Sequence, residues 1–193
     1  MFSAKLMLSN EKMYRYSLIW EKDRPTGFLN SKKMPLRSHE DILVFYKKPP
    51  IYNPQMWEGK PLHSKGKNFV KKDGKNSNYG KYDTKYESNR VGCTEKYPRS
   101  VLKFQKEHPA IFATQKPIKL CEYLIKTYSN EGSIILDNCM GSASSIIAAN
   151  NLNRYIIGME LNIENYLLAK SRLCSHNIKY LEHTNDTLLE ENE

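Results

Sequence analysis

The sequence predicts an α/β fold organised around two parallel strands, each followed by a helix. Three observations predict it. Residues 133–136 (Ser-Ile-Ile-Leu) and 155–161 (Tyr-Ile-Ile-Gly-Met-Glu-Leu) are short apolar runs of strand length. Residues 141–151 and 163–174 follow them with apolar residues at helical spacing. Between the first run and its helix lies a turn that opens with Asp137 and contains Gly141, and Glu160 closes the second run. Strand, glycine turn, helix, strand and helix make a βαβα unit. Its crossover is right-handed, and its ligand sits at the carboxyl ends of the strands.

The remaining elements follow in order. Residues 1–9 form an amphipathic helical end. Residues 14–21, aromatic and β-branched, read as a strand. A polar loop with Pro25, Gly27 and Pro35 occupies residues 23–35. Ile42, Leu43, Val44 and Phe45 mark a second strand within residues 39–47, and Lys48-Pro49-Pro50 stops it. Residues 117–128 begin with a proline suited to a helix start and carry Ile118, Leu120, Cys121, Leu124, Ile125 and Tyr128 at helical spacing. Asn130-Glu131-Gly132 turns the chain into the βαβα unit. All these apolar stripes are read as core packing.

Charge divides the chain. It carries 30 Lys and Arg against 21 Asp and Glu, a net +9. Residues 1–106 hold 23 basic against 10 acidic residues, a surplus of 13. Residues 107–193 hold 7 against 11, a deficit of 4. A basic half joined to a mildly acidic one suggests a polyanion-binding surface attached to a separate functional core. From about residue 52 to 106 Lys65, Lys67, Lys71, Lys72, Lys75, Lys81 and Lys85 alternate with Tyr79, Tyr82 and Tyr86 and almost no aliphatics. Alone, such a segment buries too little surface to offset its chain entropy. It reads as an insertion that orders on DNA, with a solvated linker as the alternative.

Several classes are excluded. Cys93, Cys121, Cys139 and Cys174 are far apart and give no zinc spacing, so no metal site is expected. No apolar run approaches a membrane span, and the first residues lack a signal-peptide pattern. A soluble, intracellular protein is expected. A nicotinamide-dependent oxidoreductase is disfavoured, because the turn has one glycine where G-x-G-x-x-G needs three.

The chemistry concentrates at Asp137-Asn-Cys-Met-Gly141-Ser142. Asp137 can accept from a ligand amino group or bond the amides of its own turn. Glu160, about one strand and helix later, is placed to take both hydroxyls of a ribose. The helix-start amides favour a carboxylate or phosphate. Spacing alone leaves an adenosyl or a dinucleotide ligand open; a turn cap and a solvated strand-end charge are the structural alternatives.

These residues resemble a known family. Residues 137–145 (Asp-Asn-Cys-Met-Gly-Ser-Ala-Ser-Ser) are similar to motif I of the DNA amino-methyltransferases, and residues 155–160 to their motif II. Ala113-Thr-Gln-Lys-Pro117 resembles their motif X. Trp20-Glu-Lys and His39-Glu-Asp-Ile-Leu-Val-Phe45 are similar to the strands leading into the target-recognition insertion. Motif X before motif I matches the circularly permuted β class. The resemblance covers residues 1–175. It implies a Rossmann-like methyltransferase fold and S-adenosylmethionine as donor. Asp137, Gly141 and Ser142 would meet the methionine end and Glu160 the ribose. Thr114, Gln115 and Lys116 would form the other wall, with Lys116 a partner for the donor carboxylate. The substrate would be double-stranded DNA, methylated on an adenine amino group. The implied organisation is partial core strands (1–52), target-recognition insertion (53–106), donor-binding half (107–181) and acidic tail (182–193).

Three departures qualify this. Ala143 stands where a third small glycine is usual, which is expected to weaken donor binding. His108-Pro109 is separated from Thr114 by an insertion. The catalytic Asp/Asn/Ser-Pro-Pro-aromatic motif is not found. The single Pro-Pro, at residues 49–50, has Lys48 before it and Ile51 after it. No catalytic residue is therefore assigned. The expected form is a fold lacking two central strands, inactive alone, with exposed sheet edges that invite homo-oligomers or a chain carrying the missing motif. A non-catalytic DNA-binding module is the alternative.

Overall fold

The structure, a computed structural model, describes residues 2–61, 75–76, 80–81, 92–112 and 114–182. The chain divides into two compact units, one of residues 1–53 and 99–193, the other of residues 54–98.

In the first unit, helix α1 (Phe2–Ser9) precedes strands β1 (Tyr14–Thr26) and β2 (Arg37–Phe45), an antiparallel pair. β1 runs farther than its aromatic stretch predicts. An irregularity between Glu21 and Thr26 absorbs Pro25, and Thr26 then pairs with Arg37. Proline is tolerated where the ladder is already interrupted. The predicted loop shrinks accordingly, and Phe28–Asn30 forms a single 3-10 turn.

In the second unit, strands β3 (Trp57–Glu58) and β6 (Glu95–Lys96) pair antiparallel, as do β4 (Lys75–Asn76) and β5 (Gly80–Lys81). Trp57 Nε1 donates to the Tyr97 carbonyl at 2.9 Å. Most of the lysine–tyrosine stretch and the tail beyond residue 182 lie outside the described residues.

Strand β7 (Val101–Lys103) has no counterpart in the sequence reading. It pairs in parallel with β1, Trp20 opposite Leu102, giving the order β2-β1-β7. Leu102 and Trp20 are buried together with Leu120. Residues 99–106 therefore pack with the first unit, while residues 54–98 form the second. Hydrophobic burial of one leucine and three ladder positions outweighs the local lysine-rich composition.

Helix α2 (Ile118–Tyr128) starts after Pro117, whose fixed φ suits a helix entry. It joins two cores. Leu120, Tyr123 and Leu124 pack around Trp20, while Ile118 packs against Met140, Ala143, Ile147, Ala169, Leu173 and Ile178. Trp20 also donates from Nε1 to the Phe104 carbonyl at 2.9 Å.

The βαβα unit is present as β8 (Ile134–Asp137), α3 (Ser144–Asn151), β9 (Tyr155–Gly158) and α4 (Ile163–Ser175). β8 and β9 are parallel, with Ile134 opposite Tyr155 and Asp137 opposite Gly158. Gly158 permits close approach of the turn and α3. A Cβ there would lie 2.6 Å from Ile146 Cδ1 and 2.7 Å from Met140 Sδ.

One expectation is overturned here. Periodicity reads every apolar stripe as core, yet Ile134 is 75% exposed, Leu136 62%, Tyr155 69% and Ile157 53%. These four lie on one face of the β8–β9 pair, since the register places Ile134 beside Tyr155 and Leu136 beside Ile157. On α4, Leu167 and Leu168 are also exposed. Periodicity identifies an apolar face, but not whether anything covers it.

Candidate functional site

The site is built where β8 and β9 end. The main chain itself draws the two strand ends together. Met159 N donates to the Asp137 carbonyl at 2.8 Å, and Met140 N to the Met159 carbonyl at 2.9 Å. The glycine turn thereby lies against the residues leading to Glu160.

Glu160 holds this junction. Its Oε2 accepts from Gly141 N and its Oε1 from Asn162 N, both at 3.0 Å. The Asn162 amide holds its carboxyl below the usual range; burial opposes this, and the Gly141 amide adds to it. Each oxygen keeps a second lone pair for a hydroxyl donor.

Asp137 bonds within its own turn. Its Oδ1 accepts from Cys139 N at 3.1 Å, and its Oδ2 from the Ser145 hydroxyl. Gly141 has φ 50°, and a Cβ built on it would meet nothing within 4 Å. The turn is therefore open on that side, and the glycine is required by its dihedral. Ala143 has φ 58° and is fully buried as the N-cap of α3. The alanine thus occupies the left-handed conformation that favours glycine, at a strain of about 1 kcal/mol.

Of the seven predicted ligand-binding residues, Asp137, Gly141, Ser142 and Glu160 are brought together. Gln115 is linked to them through two residues that sequence reasoning missed. Its Nε2 donates to Glu107 Oε2 at 2.6 Å, and Arg172 Nη2 donates to that same oxygen at 2.6 Å. Arg172 Nη1 reaches the Ser142 carbonyl at 2.7 Å and the Ser144 hydroxyl at 2.9 Å. Glu107 Oε1 accepts from Ile118 N at 2.7 Å, at the start of α2. A signal was available: Arg172 falls on the buried stripe of α4 between Ala169 and Leu173, and a buried charge demands a partner.

Thr114 and Lys116 face elsewhere. Lys116 Nζ lies 3.0 Å from Glu40 Oε2 and 3.2 Å from the Thr114 carbonyl, with its ammonium 5.9 Å from the Trp20 ring centroid. Pro49, Pro50 and Ile51 are exposed beyond β2 and remote in character from any acceptor-and-ring arrangement.

This arrangement is chemically compatible with an adenosyl donor. Glu160 has lone pairs that a diol could use, Asp137 has a carboxylate that an ammonium could approach, and the turn is open at Gly141. The N–H groups opening α3 could face a carboxylate.

The sequence model of the family described as DNA methylase, of the N6/N4 type, matches residues 1–171. The type II methyltransferase M.HpaI of Haemophilus parainfluenzae is 44% identical over 73 residues, 38% of this chain and 22% of that protein. The type II methyltransferase M2.DpnII of Streptococcus pneumoniae is 33% identical over 112 residues, 55% of this chain and 40% of that protein. The chain thus spans less than half the length of these relatives. Among solved structures, M1.HpyAVI in its SAM complex superposes with TM-score 0.56 at 23% identity, covering 89% of this chain and 69% of that one. A DNA modification methylase of Thermus thermophilus, complexed with S-adenosyl-L-methionine, gives 0.52 at 19%, covering 94% and 65%. Structural likeness at these identities establishes the Rossmann-like methyltransferase fold. With the family match over residues 1–171, the chain belongs to the DNA amino-methyltransferase (DNA methylase) family.

Proposed function

We propose that this chain supplies the donor-binding half and a DNA-facing region of a site-specific DNA methyltransferase acting on adenine amino groups, with S-adenosylmethionine as donor. The observation that carries the reading is the junction of Glu160 with Gly141 at the ends of β8 and β9. When bound, the donor supplies a methyl group activated by its sulfonium. The residues of this chain bind and orient: Glu160 the ribose hydroxyls, Asp137, Gly141 and Ser142 the methionine end, and Gln115 the wall fixed by Glu107. In the same reading Thr114 and Lys116 border that wall from the side of Glu40, and residues 54–98 belong to the target-recognition region.

The test is calorimetric titration of the full chain with S-adenosylmethionine, repeated with Glu160→Ala. Saturable binding that the substitution abolishes, in a variant that still melts cooperatively, supports the reading. A folded wild-type chain that takes up no donor overturns it.

A second reading concerns the acceptor, and the bare β8–β9 face favours it. Parallel strands are ordinarily covered on both faces. In this reading another polypeptide segment covers Ile134, Leu136, Tyr155 and Ile157 and brings the Asp-Pro-Pro-aromatic acceptor that no residue of this chain provides. Mixing the chain with a polypeptide containing that motif should create methylation of duplex DNA that neither shows alone. Full activity of this chain by itself would refute it.

A further inference from the structure

A second cleft lies away from the glycine turn, and its charges are unbalanced. The cleft, with a volume near 620 Å³, is lined by the end of β1, the start of β2, α1 and the approach to Thr114. Lys22, Arg37, His39 and Lys106 line it together with Glu40 and Asp41.

The two carboxylates are already occupied. Asp41 Oδ2 accepts from the Ser3 hydroxyl at 2.6 Å. Glu40 is shared by two ammonium groups, Lys116 at 3.0 Å and Lys22 at 3.4 Å. Lys22 is 7% exposed, and its one acceptor among the described residues is that distant Glu40 oxygen. An ammonium has three donors, so a buried one with a single long bond is under-satisfied. The side chains of Arg37 and Lys106 have no acceptor among the described residues. The cleft therefore holds more fixed positive charge than its own acids neutralise, in a partly dehydrated setting where charge acts strongly. Phe2 is 80% exposed at the same cleft and offers a ring for stacking.

We propose that this cleft is an oxyanion site that seats a backbone phosphate of a nucleic-acid strand, with Lys22, Arg37 and Lys106 as its cations. The choice of nucleic acid as the source rests on the DNA-methyltransferase reading; the charge excess does not. The cleft anchors the strand on the core unit, independently of the lysine-rich segment.

The experiment is binding of the full chain to a short fluorescent duplex of arbitrary sequence, by anisotropy across a salt series. It compares wild type with Arg37→Gln, Lys106→Gln and the double variant, all at exposed or half-exposed positions. Each phosphate whose neutralisation is lost should lower the slope of log affinity against log salt by about 0.9. Because the cleft seats one phosphate, the double variant should lose up to about 0.9 of slope and bind several-fold more weakly at low salt, with unchanged melting and donor binding. An unchanged slope in the double variant overturns the proposal.

Inorganic phosphate provides the second arm. Relative to chloride of equal ionic strength, it should raise the melting temperature of wild type more than that of the double variant, and the difference removes the general stabilising effect of phosphate. Phosphate stabilisation with no change in duplex binding would mean a site for a free oxyanion, overturning the nucleic-acid assignment. A wild-type chain that binds no duplex, yet keeps the phosphate response, would sink the DNA reading and leave the oxyanion site standing. Loss of both responses sinks both.

Discussion

Arg172 and Glu107, 65 positions apart in sequence, meet at 2.6 Å and tie the start of α2 to the glycine turn. The guanidinium is buried and uses both terminal nitrogens, one on Glu107 and the other on Ser142 and Ser144. Arg172 is buried and Glu107 half-buried; such a pair adds little net stability over an apolar replacement, but removing the carboxylate strands the buried guanidinium. Glu107→Ala should therefore destabilise by about 3 kcal/mol, measured as a shift in urea midpoint at constant slope. Arg172→Met, which removes the charge itself, should cost less than the alanine change at Glu107.

Two opposing effects meet at Ala143. Replacing it with glycine relieves a left-handed strain of about 1 kcal/mol but removes a fully buried methyl worth about 0.8 kcal/mol. Ala143→Gly should leave the melting temperature nearly unchanged. Ala143→Val, β-branched at φ 58°, has no such balance and should lower it by many degrees. Calorimetric scans of the two variants distinguish strain from packing.

Glu160 makes stability depend on acid. Its carboxyl is held below the ordinary value of 4.5 by the Asn162 amide. A group with a depressed folded-state pKa contributes stability above its unfolded pKa and loses it as pH falls through the folded value. Stability should therefore drop below about pH 4.5, and Glu160→Gln should flatten part of that drop. Glu40 and Glu122 are lowered as well. Burial is the largest influence on each and pushes it up, but Lys116 with Lys22 at Glu40, and Lys119 with Asn151 and Lys126 at Glu122, together outweigh it. Some acid sensitivity should thus survive the substitution. Denaturation melts across the acid limb check the sign.

The thiols should differ in reactivity. Burial, aided by the charges of Asp137 and Glu107, pushes the Cys121 thiol up to about 12, whereas Cys139 and Cys174 are exposed. Alkylation at mild pH followed by peptide mapping should modify Cys139 and Cys174 well before Cys121. In the proposed site Cys139 lies in the ligand turn, so S-adenosylmethionine should slow its labelling while leaving Cys174 unaffected.

Ile157 is 53% exposed on the bare face of β9. Ile157→Lys should change monomer stability by no more than about 0.5 kcal/mol. If that face promotes self-association, the substitution should also lower the concentration dependence of sedimentation. A variant that unfolds would show instead that the face is packed in solution.

The βαβα unit was legible because its signals are local. Apolar runs, a glycine turn and helical spacing fixed β8, α3, β9 and α4 to within a few residues, and placed Asp137 and Glu160 at adjacent strand ends. What was not legible is non-local. Val101-Leu102-Lys103 looks like part of a lysine-rich segment until β1 offers it a partner. Arg172 reads as one more helix-end cation until Glu107 arrives from another segment. Lys116 matches a motif position, but its engagement with Glu40 depends on a strand more than 70 residues earlier in the chain. The exposure of Ile134 and Leu136 is a property of what lies beside them, which periodicity does not encode.

The clamp on Glu160 has a further consequence for selectivity. A freely rotating glutamate gives up roughly 1.5–2 kcal/mol of side-chain entropy when it is ordered. Here two main-chain amides have already stopped that rotation, so ordering belongs to folding and not to ligand capture. In the proposed site the carboxylate would behave as a fixed ruler: a vicinal diol of matching span would meet both spare lone pairs at once, and a nucleoside lacking one hydroxyl would meet a side chain that cannot swing to compensate.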